Sequence, residues 1–491
     1  MIKSITYFQE KITEKLEKIF LSYSSDMTKF AELVHGVTDC MMEFGLKLLA
    51  EELESYDTFL CEKKHLRPDW YIVRKDKTTL LTSIGTLHYH KTLFQNKKTG
   101  AYEYFLDRVM GLEKHARMTE DAEARILEEA VQTSYEKGGK SVSISEEEVS
   151  RETVKNKLHA LKFPKKENYL EKKKSVDYLY IEADEDHIAL QFRKKKGDIT
   201  ENEYHQKNNG AIAKLIYVHE GIEQENEKSR RHVLKNPYYF CRVCEGKENK
   251  ALWDEVYEYI ENTYDLSKIK KIYLSADGGS WILSGKRQIA GMTYVLDEFH
   301  LKKYLQKITR HFWKKEKELE EELIKIICYG TKKKFEEKIE ERKKEITNPG
   351  GRKRIEEGKA YLLNNWSASR LRLLRKNGVK GSSTESHVSH ILSDRMSSRP
   401  MGWSKTGMSK MAQLRAYYYN KGDMLELVRY QKEESTKAVS TESVIYSSSQ
   451  MWSEERKRKK KLGQLADLKV YSIPYHQIKK IANFKAQIFG L

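Results

Sequence analysis

Three carboxylates at the ends of predicted elements are the residues of this sequence best suited to chemistry. Asp184 ends the strand-like run 176–184, and Asp277 follows the strand-like run 269–275. Glu385 stands at the start of a predicted helix. Two divalent cations about 3.5–4 Å apart catalyse phosphoryl transfer by contacting the attacking and the leaving oxygen, and converging carboxylates can hold such a pair. The three acids therefore raise the hypothesis of a two-metal site.

The second and third acids also have ordinary structural interpretations. Asp277 precedes a glycine, and Asp-Gly after a strand is a common turn. Glu385 lies three residues after Ser382, which is the spacing of a helix capping box. Position alone leaves both acids open between a structural role and a metal-binding role.

The first acid has neighbours of the same type. Side chains alternate along a strand, so Glu182, Asp184 and Asp186 share one face if the strand continues. The competing interpretation is a tight acidic turn between two strands, 176–184 and 188–192. Periodicity therefore leaves open whether Asp184 or Asp186 is the first candidate ligand.

The elements between residues 173 and 310 indicate the fold that would position these acids. Three early strands, then helix, strand, strand and helix, are the order of a ribonuclease-H-like core. In parallel sheets catalytic side chains lie beyond the carboxyl ends of the strands, which is where Asp277 falls. The predicted strands are 176–184, 188–192, 213–218, 269–275 and 293–296, with helices at 253–264 and from residue 300.

The rest of the chain divides by composition into further regions. Its 491 residues exceed what one hydrophobic core usually spans, so several domains are expected. Helical apolar spacing, short β-rich runs and charged helical stretches mark the divisions. We predict an α+β or α/β multidomain protein with an N-terminal helical region (1–66), a small β-rich domain (67–112), a helix-turn-helix-like DNA-binding region (113–165), the first part of a ribonuclease-H-like catalytic core (173–310), an all-helical insertion (311–375), the last part of the core with the Glu385 helix (376–432) and a basic C-terminal tail (433–491).

A helix, a glycine-containing turn at 137–140 and a basic helix at 149–158 predict a helix-turn-helix. Ser145-x-x-Glu148 matches a capping box for the basic helix, although any capped pair of amphipathic helices gives a similar pattern. The candidate DNA contacts on this helix are Arg151, Thr153, Lys155 and Lys157.

The charge balance favours a polyanionic partner. Lys and Arg number 91 and Asp and Glu 73, which gives a formal charge of +18. Because the basic residues lie along the whole chain, nucleic acid fits better than a membrane surface, although solvated Lys/Glu helix faces give a similar composition. No apolar run approaches the roughly 18 residues of a spanning helix. Five cysteines and no secretory pattern favour the reducing cytoplasm, with the protein on the nucleoid.

Four motifs occur in an order that resembles a known family. They are Tyr-Ile-Glu-Ala-Asp-Glu-Asp at 180–186, Leu-Ser-Ala-Asp-Gly-Gly at 274–279, Val-Leu-Asp-Glu-Phe-His at 295–300, and Ser-Thr-Glu-Ser-His at 383–387 with Met-Ser-Ser-Arg-Pro-Met-Gly-Trp at 396–403. Together they resemble the ISLre-type insertion-sequence transposases, bacterial relatives of the Mutator-like DDE group. The resemblance extends from about residue 70 to about residue 419.

The resemblance implies a ribonuclease-H-like catalytic domain interrupted by a helical insertion. It implies that Asp184, Asp277 and Glu385 are the catalytic residues and ligate two Mg²⁺ ions, with Mn²⁺ as a substitute ion. By similarity to a motif of Mutator-like proteins, Asp297 and His300 are expected to support the active site.

The resemblance also implies a DNA partner. The expected substrates are the terminal inverted repeats of an insertion sequence and double-stranded target DNA, and pairing two ends favours a homodimer or a larger assembly. Trp366 of the insertion is a candidate for stacking on an extruded base, and burial in the insertion core is the alternative. Two rival functions are a non-catalytic helix-turn-helix DNA-binding protein and a ribonuclease-H-like nuclease of another pathway.

Overall fold

The computed structural model describes residues 3–145, 147–164, 172–191, 200–201, 209–399 and 401–438. The chain forms two compact units: unit 1 comprises 1–122, 143–147 and 436–491, and unit 2 comprises 123–142 and 148–435. The predicted mixture of helices and several sheets is confirmed. Most of the predicted basic tail lies outside the described residues. None of the described helices combines the length and the apolarity needed to cross a bilayer.

Unit 1 joins a helical hairpin to an antiparallel sheet. The strands are paired in the order β1-β2-β3, and α3 packs on β2 around a core that includes Phe59, Phe94 and Phe105. The elements are α1 (Lys3–Tyr7), a π-helical turn (Phe8–Ile12), α2 (Thr13–Ser25), α3 (Phe30–Glu62), a 3-10 turn (Lys64–Leu66), β1 (Trp70–Thr82), β2 (Gly85–Asn96), β3 (Tyr102–Tyr104) and α4 (Phe105–Val109).

Three helices follow, α5 (Glu120–Ala130), α6 (Tyr135–Lys140) and α7 (Arg151–Ala160). The glycine turn predicted at 137–140 is part of helix α6, and the connection to α7 is longer than the three- or four-residue turn of a helix-turn-helix. The predicted capping box is wrong as well, because the cap of α7 is Ser150, whose Oγ accepts from the Thr153 backbone N–H at 3.2 Å. The segment is thus a set of three helices without the predicted turn.

A five-stranded sheet forms the centre of unit 2, in the order β10-β9-β4-β5-β8. β10, β9 and β4 are parallel, whereas β5 is antiparallel to both β4 and β8. The strands are β4 (Tyr178–Ala189), β5 (Gly210–His219), β6 (Ile222–Gln224), β7 (His232–Leu234), β8 (Tyr238–Val243), β9 (Lys271–Ala276) and β10 (Met292–Leu296), of which β6 and β7 form a separate hairpin.

Helices and short turns complete unit 2. They are α8 (Glu248–Thr263), α9 (Ser280–Ser284), a 3-10 turn (Gly285–Arg287), α10 (Glu298–Thr309), a 3-10 turn (Trp313–Lys315), α11 (Glu316–Tyr329), α12 (Lys332–Lys343), α13 (Pro349–Asn364), α14 (Trp366–Leu374), α15 (Thr384–Val388), a π-helical turn (Ser389–Ser393), α16 (Asp394–Met396), α17 (Lys405–Tyr419) and α18 (Met424–Ala438).

The acidic turn predicted between two strands is wrong, because β4 runs through it without interruption. Both edges of this strand are paired: β5 follows it from Tyr180 to Ala189, and β9 follows it from Tyr178 to Glu182. The pairing with β5 continues through Asp184, Glu185 and Asp186 and keeps the strand extended where its side chains are acidic. The acids therefore lie within a strand at the middle of the sheet.

The two faces of this sheet carry different layers. One face packs on α8, whose apolar positions recur at helical spacing, and the other packs on α17. Alternation puts Glu182, Asp184 and Asp186 on the same face as Ile188, which packs with α17. The first cluster includes Leu179, Ile181, Ala183, Trp253, Val256 and Ile260, and the second includes Ile188, Leu215, Tyr217, Met408 and Met411.

The helices after α10 have a core of their own. It includes Leu305, Leu323, Phe335, Ile355 and Leu362. Trp366 is 7% exposed in this core, and its ring meets that of Phe335 edge to face at 5.4 Å. The structure thus shows the alternative interpretation of Trp366, burial in the insertion core.

Candidate active site

Asp184 lies in the middle of β4 and is 8% exposed. Its Oδ1 accepts the backbone N–H of Glu185 at 2.8 Å. Burial raises the pKa of Asp184 to about 7, and the negative charges of Asp277 and Glu385 contribute to the rise. The structure thus brings the three predicted acids into one electrostatic neighbourhood.

Asp277 occupies the turn that follows β9. The parallel register of β4 and β9 pairs Glu182 with Ser275, so continuing it by two residues places Asp277 beside Asp184. The backbone N–H of Gly279 donates to Oδ1 of Asp277 at 2.7 Å, and the Tyr361 hydroxyl of α13 donates to its backbone carbonyl. The turn is therefore fixed both by its own backbone and by the helical insertion.

Glu385 lies in the first turn of α15 and is exposed. The capping box predicted for it does not form, because Ser382 Oγ donates to Asp297 Oδ1 at 2.7 Å and accepts from the Glu298 N–H at 2.9 Å. The Glu385 carboxylate makes no hydrogen bond or ion pair with any residue that the structure describes. Its interpretation as a helix cap is thereby contradicted.

Glu182 is a buried acid of this site whose importance the sequence did not reveal. It is 1% exposed, and four donors surround its carboxylate: Tyr217, His219, Ser383 and Thr384. Burial alone would raise the pKa of Glu182, but the hydrogen bond and charge of His219 and the two hydroxyl donors hold it below its ordinary value. Strand alternation was the one signal that grouped this residue with Asp184.

Asp297 and His300 form a pair at the start of α10. Oδ2 of Asp297 accepts from both the backbone N–H and Nδ1 of His300, each at 3.0 Å. Burial opposes charge on both groups, yet their contact, with Ser382 as a further donor, lowers the pKa of Asp297 and raises that of His300. The charges of Asp184 and Asp277 also raise the pKa of His300. The surrounding carboxylates therefore favour the protonated form of the His300 imidazole.

Asp186 lies on the same face of β4 but has another partner. Its Oδ2 accepts from Ser397 Oγ at 2.7 Å, in the segment after α16. Burial raises the pKa of Asp186, and hydrogen bonds from Ser397 and Ser393 oppose the rise. Asp186 therefore anchors the loop after α16, whereas the pKa of Asp184 responds to the charges of Asp277 and Glu385.

The donor set has the chemistry of a magnesium site, since carboxylate oxygens are hard ligands and their mutual repulsion is relieved by a cation. Among the residues that the structure describes, however, no three His, Cys, Asp or Glu side chains are close enough to hold one ion together. The three acids are neighbours, but their side chains do not form a complete set of ligands for one ion.

The predicted DNA contacts on α7 are mostly engaged within the protein. Lys155 pairs with Glu152, Lys157 pairs with Glu123, and the Thr153 hydroxyl lies 3.0 Å from that of Ser150. Arg151 is exposed at the start of the helix. Of the four, Arg151 alone presents a side chain to which the structure assigns no such partner among the described residues.

Gly278 offers a test of how tightly the Asp277 turn is held. Its φ is +92°, and a Cβ there would lie 2.8 Å from Tyr294 Oη and 2.9 Å from Asn365 Oδ1. We expect Gly278→Ala to lower the free energy of unfolding by about 2–4 kcal/mol, through left-handed strain and overpacking together. The matched control is Gly291→Ala, with φ +80° and nothing within 4 Å, which adds strain alone. Urea unfolding compares them, and equal losses would mean that the turn is not clamped.

The chain matches one family model, described as "Uncharacterised protein family (UPF0236)", over residues 24–434. It is 33% identical over 425 residues to UPF0236 protein TTE2489 of Caldanaerobacter subterraneus subsp. tengcongensis, covering 86% of each chain. It is 32% identical over 415 residues to another UPF0236 protein of that organism, covering 84% of this chain and 83% of the relative, whose name joins eleven designations from TTE0033 to TTE2212.

Among solved structures, the chain is similar to the "Drosophila P element transposase strand transfer complex". The TM-score is 0.22 and the sequence identity 11%, covering 65% of this chain and 82% of that one.

Proposed function

We propose that this chain, which belongs to the uncharacterised family UPF0236, is a DDE-type DNA transposase of the ISLre type. It would cleave the ends of an insertion sequence and join them to target DNA. The observation that carries the proposal is that β4, the turn after β9 and the start of α15 bring Asp184, Asp277 and Glu385 close enough to interact: burial raises the pKa of Asp184 to about 7, and the charges of Asp277 and Glu385 contribute. Repulsion makes neighbouring carboxylates unfavourable in the absence of a cation. A strongly shifted pKa is also typical of residues in functional sites.

The order of elements supports a ribonuclease-H-like core. Three antiparallel strands β4, β5 and β8 are followed by α8, the parallel strands β9 and β10, and α10. The helical segment α11–α14 then precedes the Glu385 helix, as expected for an insertion between the second and third acids. This order of elements supports the proposed roles of the three acids.

Asp184, Asp277 and Glu385 would hold two Mg²⁺ ions, for which Mn²⁺ would substitute. When bound, the ions would supply an activated oxygen nucleophile and stabilisation of the leaving oxygen. Glu385, exposed on a five-residue helix, would have to turn inward to complete the ligand set. A protonated His300 would offset the charge of Asp184 and Asp277, which raise its pKa, and Asp297 would hold its ring in place.

Double-stranded DNA is the proposed partner, bound as terminal repeats and as target. The formal charge of +18 supports this. So does the name of one relative, which joins eleven designations, because we take these to be copies of one gene dispersed through a genome, the trace that a mobile element leaves. A homodimer or a larger assembly on DNA is proposed because two ends must be paired.

The test is DNA cleavage by the purified full chain. The substrate is linear DNA carrying the sequences that flank the gene, with Mg²⁺ or with EDTA. We expect Mg²⁺-dependent nicking at the ends, and we expect Glu385→Gln to reduce it by about 10²–10³-fold while gel-shift binding of the ends is retained.

Three outcomes would contradict the proposal in different ways. Equal cleavage by wild type and Glu385→Gln would remove Glu385 from the site. Equal cleavage of DNA without the flanking sequences would indicate a general nuclease. End binding without any cleavage would indicate a non-catalytic DNA-binding protein.

A further inference from the structure

We infer that Glu182 is a positioning residue for Glu385, and that it is not a further metal ligand. The inference rests on the proposed function. Glu182 stands two residues before Asp184 on the same face of β4, so it is a further acid close to the site. Its contacts decide between the two roles.

Hydrogen bonds engage both oxygens of the Glu182 carboxylate. Oε2 accepts the Ser383 backbone N–H at 3.0 Å, the Thr384 hydroxyl at 2.6 Å and the Tyr217 hydroxyl at 2.8 Å. Oε1 faces His219 Nε2 at 3.2 Å. A carboxylate offers about four acceptor positions, two on each oxygen, so Oε2 is fully used and Oε1 keeps one position on a residue that is 1% exposed. The Glu182 carboxylate is thus already engaged in hydrogen bonds within the protein.

Two of the four donors belong to the start of the helix that carries Glu385. Ser383 directly precedes α15, and its side chain makes no capping hydrogen bond. Glu182 accepts the Ser383 backbone N–H, one of the N–H groups at the helix start that have no partner within the helix. Thr384, 2% exposed, is the residue immediately before Glu385. A helix of five residues has little stability of its own, so this contact from the sheet sets where its first turn lies.

The other two donors anchor the carboxylate to the sheet. Tyr217 and His219 lie on β5, next to β4, and both are fully buried. Their rings are 6.0 Å apart, and that of Tyr217 stacks on His387 of α15 at 4.8 Å. Glu182 therefore joins a rigid platform to the Glu385 turn, while Asp184 on the same strand presents the partner acid.

The experiment measures Mn²⁺ binding by the full chain, from the electron paramagnetic resonance signal of the free ion. We expect Glu182→Gln to weaken Mn²⁺ binding about tenfold or more, as loss of an outer-shell partner does. The glutamine amide would place an N–H group against donors such as the Ser383 N–H and the Thr384 hydroxyl. The start of α15 would then lose its hydrogen bonds to β4. Glu385→Gln is measured in parallel as the direct loss of a ligand.

Asp57→Asn is the matched control for the loss of a buried, hydrogen-bonded carboxylate. Asp57 is 0% exposed in unit 1 and accepts from the backbone N–H and hydroxyl of Thr92 at 2.8 and 2.7 Å. The variant is expected to lose stability and keep wild-type Mn²⁺ affinity. A purely structural role of Glu182 would make Glu182→Gln resemble this control.

Thr384→Val keeps the inference testable even if Glu182→Gln does not fold. It removes one helix-side donor and leaves the acid in place, and we expect a threefold or greater loss of Mn²⁺ affinity that does not add to the loss in the double variant. Wild-type affinity in both Glu182→Gln and Thr384→Val, with a loss in Glu385→Gln, would overturn the inference alone. Wild-type affinity in Glu385→Gln would overturn the proposed metal site itself.

Discussion

Asp184→Asn is expected to reduce Mg²⁺-dependent DNA cleavage by about 10³-fold or more, equivalent to about 4 kcal/mol of transition-state stabilisation. The amide keeps the shape and an acceptor for the Glu185 N–H. It removes the negative charge that, next to Asp277 and Glu385, makes a cation favourable at this site. Cleavage rates at saturating DNA measure the effect, and gel shifts should show unchanged end binding.

Asp186→Asn is the control on the same strand face. Asparagine can still accept the Ser397 hydroxyl, so the loop after α16 should stay in place and cleavage should stay within about threefold of wild type, a change of less than 1 kcal/mol. The reverse result, an active Asp184→Asn and an inactive Asp186→Asn, would move the first acid two residues along β4. Equal and severe losses in both would point to a strand that tolerates no change.

Alternation along β4 could be predicted from sequence, whereas the continuity of the strand could not. The period of two grouped Glu182, Asp184 and Asp186 on one face, and the structure has them so. Acids in mid-sequence nevertheless resembled a turn, because pairing to β5 and β9 on both edges is a long-range property. A local sequence pattern does not indicate which other strands will pair with a given strand.

The sequence predicts three early strands and the central sheet has three early strands, but the two counts agree only because two errors in the prediction cancel. β4 was divided in two, and β8 was missed. The sequence of β8, Tyr-Tyr-Phe-Cys-Arg-Val, has no polar alternation because Cys241 packs on one face of the sheet and Phe240 on the other. A strand buried on both sides lacks the signal that marks a half-exposed one.

The role of Ser382 shows a different limit. Its spacing to Glu385 matches a capping box, but its hydroxyl bonds Asp297, 85 residues earlier in the chain. The hydrogen bond to Asp297 therefore takes the place of the capping interaction that the local motif predicts. The contacts of Glu182 are also non-local, because two of its donors, the Ser383 N–H and the Thr384 hydroxyl, lie about 200 residues later in the chain.

Arg372→Met is expected to lower the free energy of unfolding by about 3–5 kcal/mol, because it leaves buried acceptors without donors. Arg372 is 3% exposed on α14. Nε donates to the Leu296 carbonyl at 2.7 Å, and the two terminal nitrogens donate to the Lys380 carbonyl and the Ser275 hydroxyl. Urea unfolding followed by tryptophan fluorescence measures the loss.

Arg375→Met is the matched control three residues further on. Arg375 pairs with Glu298 at 2.8 Å with 55% of its side chain exposed, so its loss should cost less than about 1 kcal/mol. Arg372→Lys should recover only part of the stability, because an ammonium group lacks the planar fork that reaches three acceptors at once. Equal unfolding midpoints for Arg372→Met and Arg375→Met would refute the argument.

The acceptors of Arg372 explain why a side chain of the insertion matters to the site. Ser275 is the penultimate residue of β9, two residues before Asp277, and Leu296 ends β10 directly before Asp297. Lys380 belongs to the loop that leads to the Glu385 helix. One buried guanidinium thus ties together the three segments that carry Asp277, Asp297 and Glu385. Arg372→Lys, if it folds, should therefore weaken Mn²⁺ binding as well as stability, whereas Arg375→Met should change neither by a measurable amount.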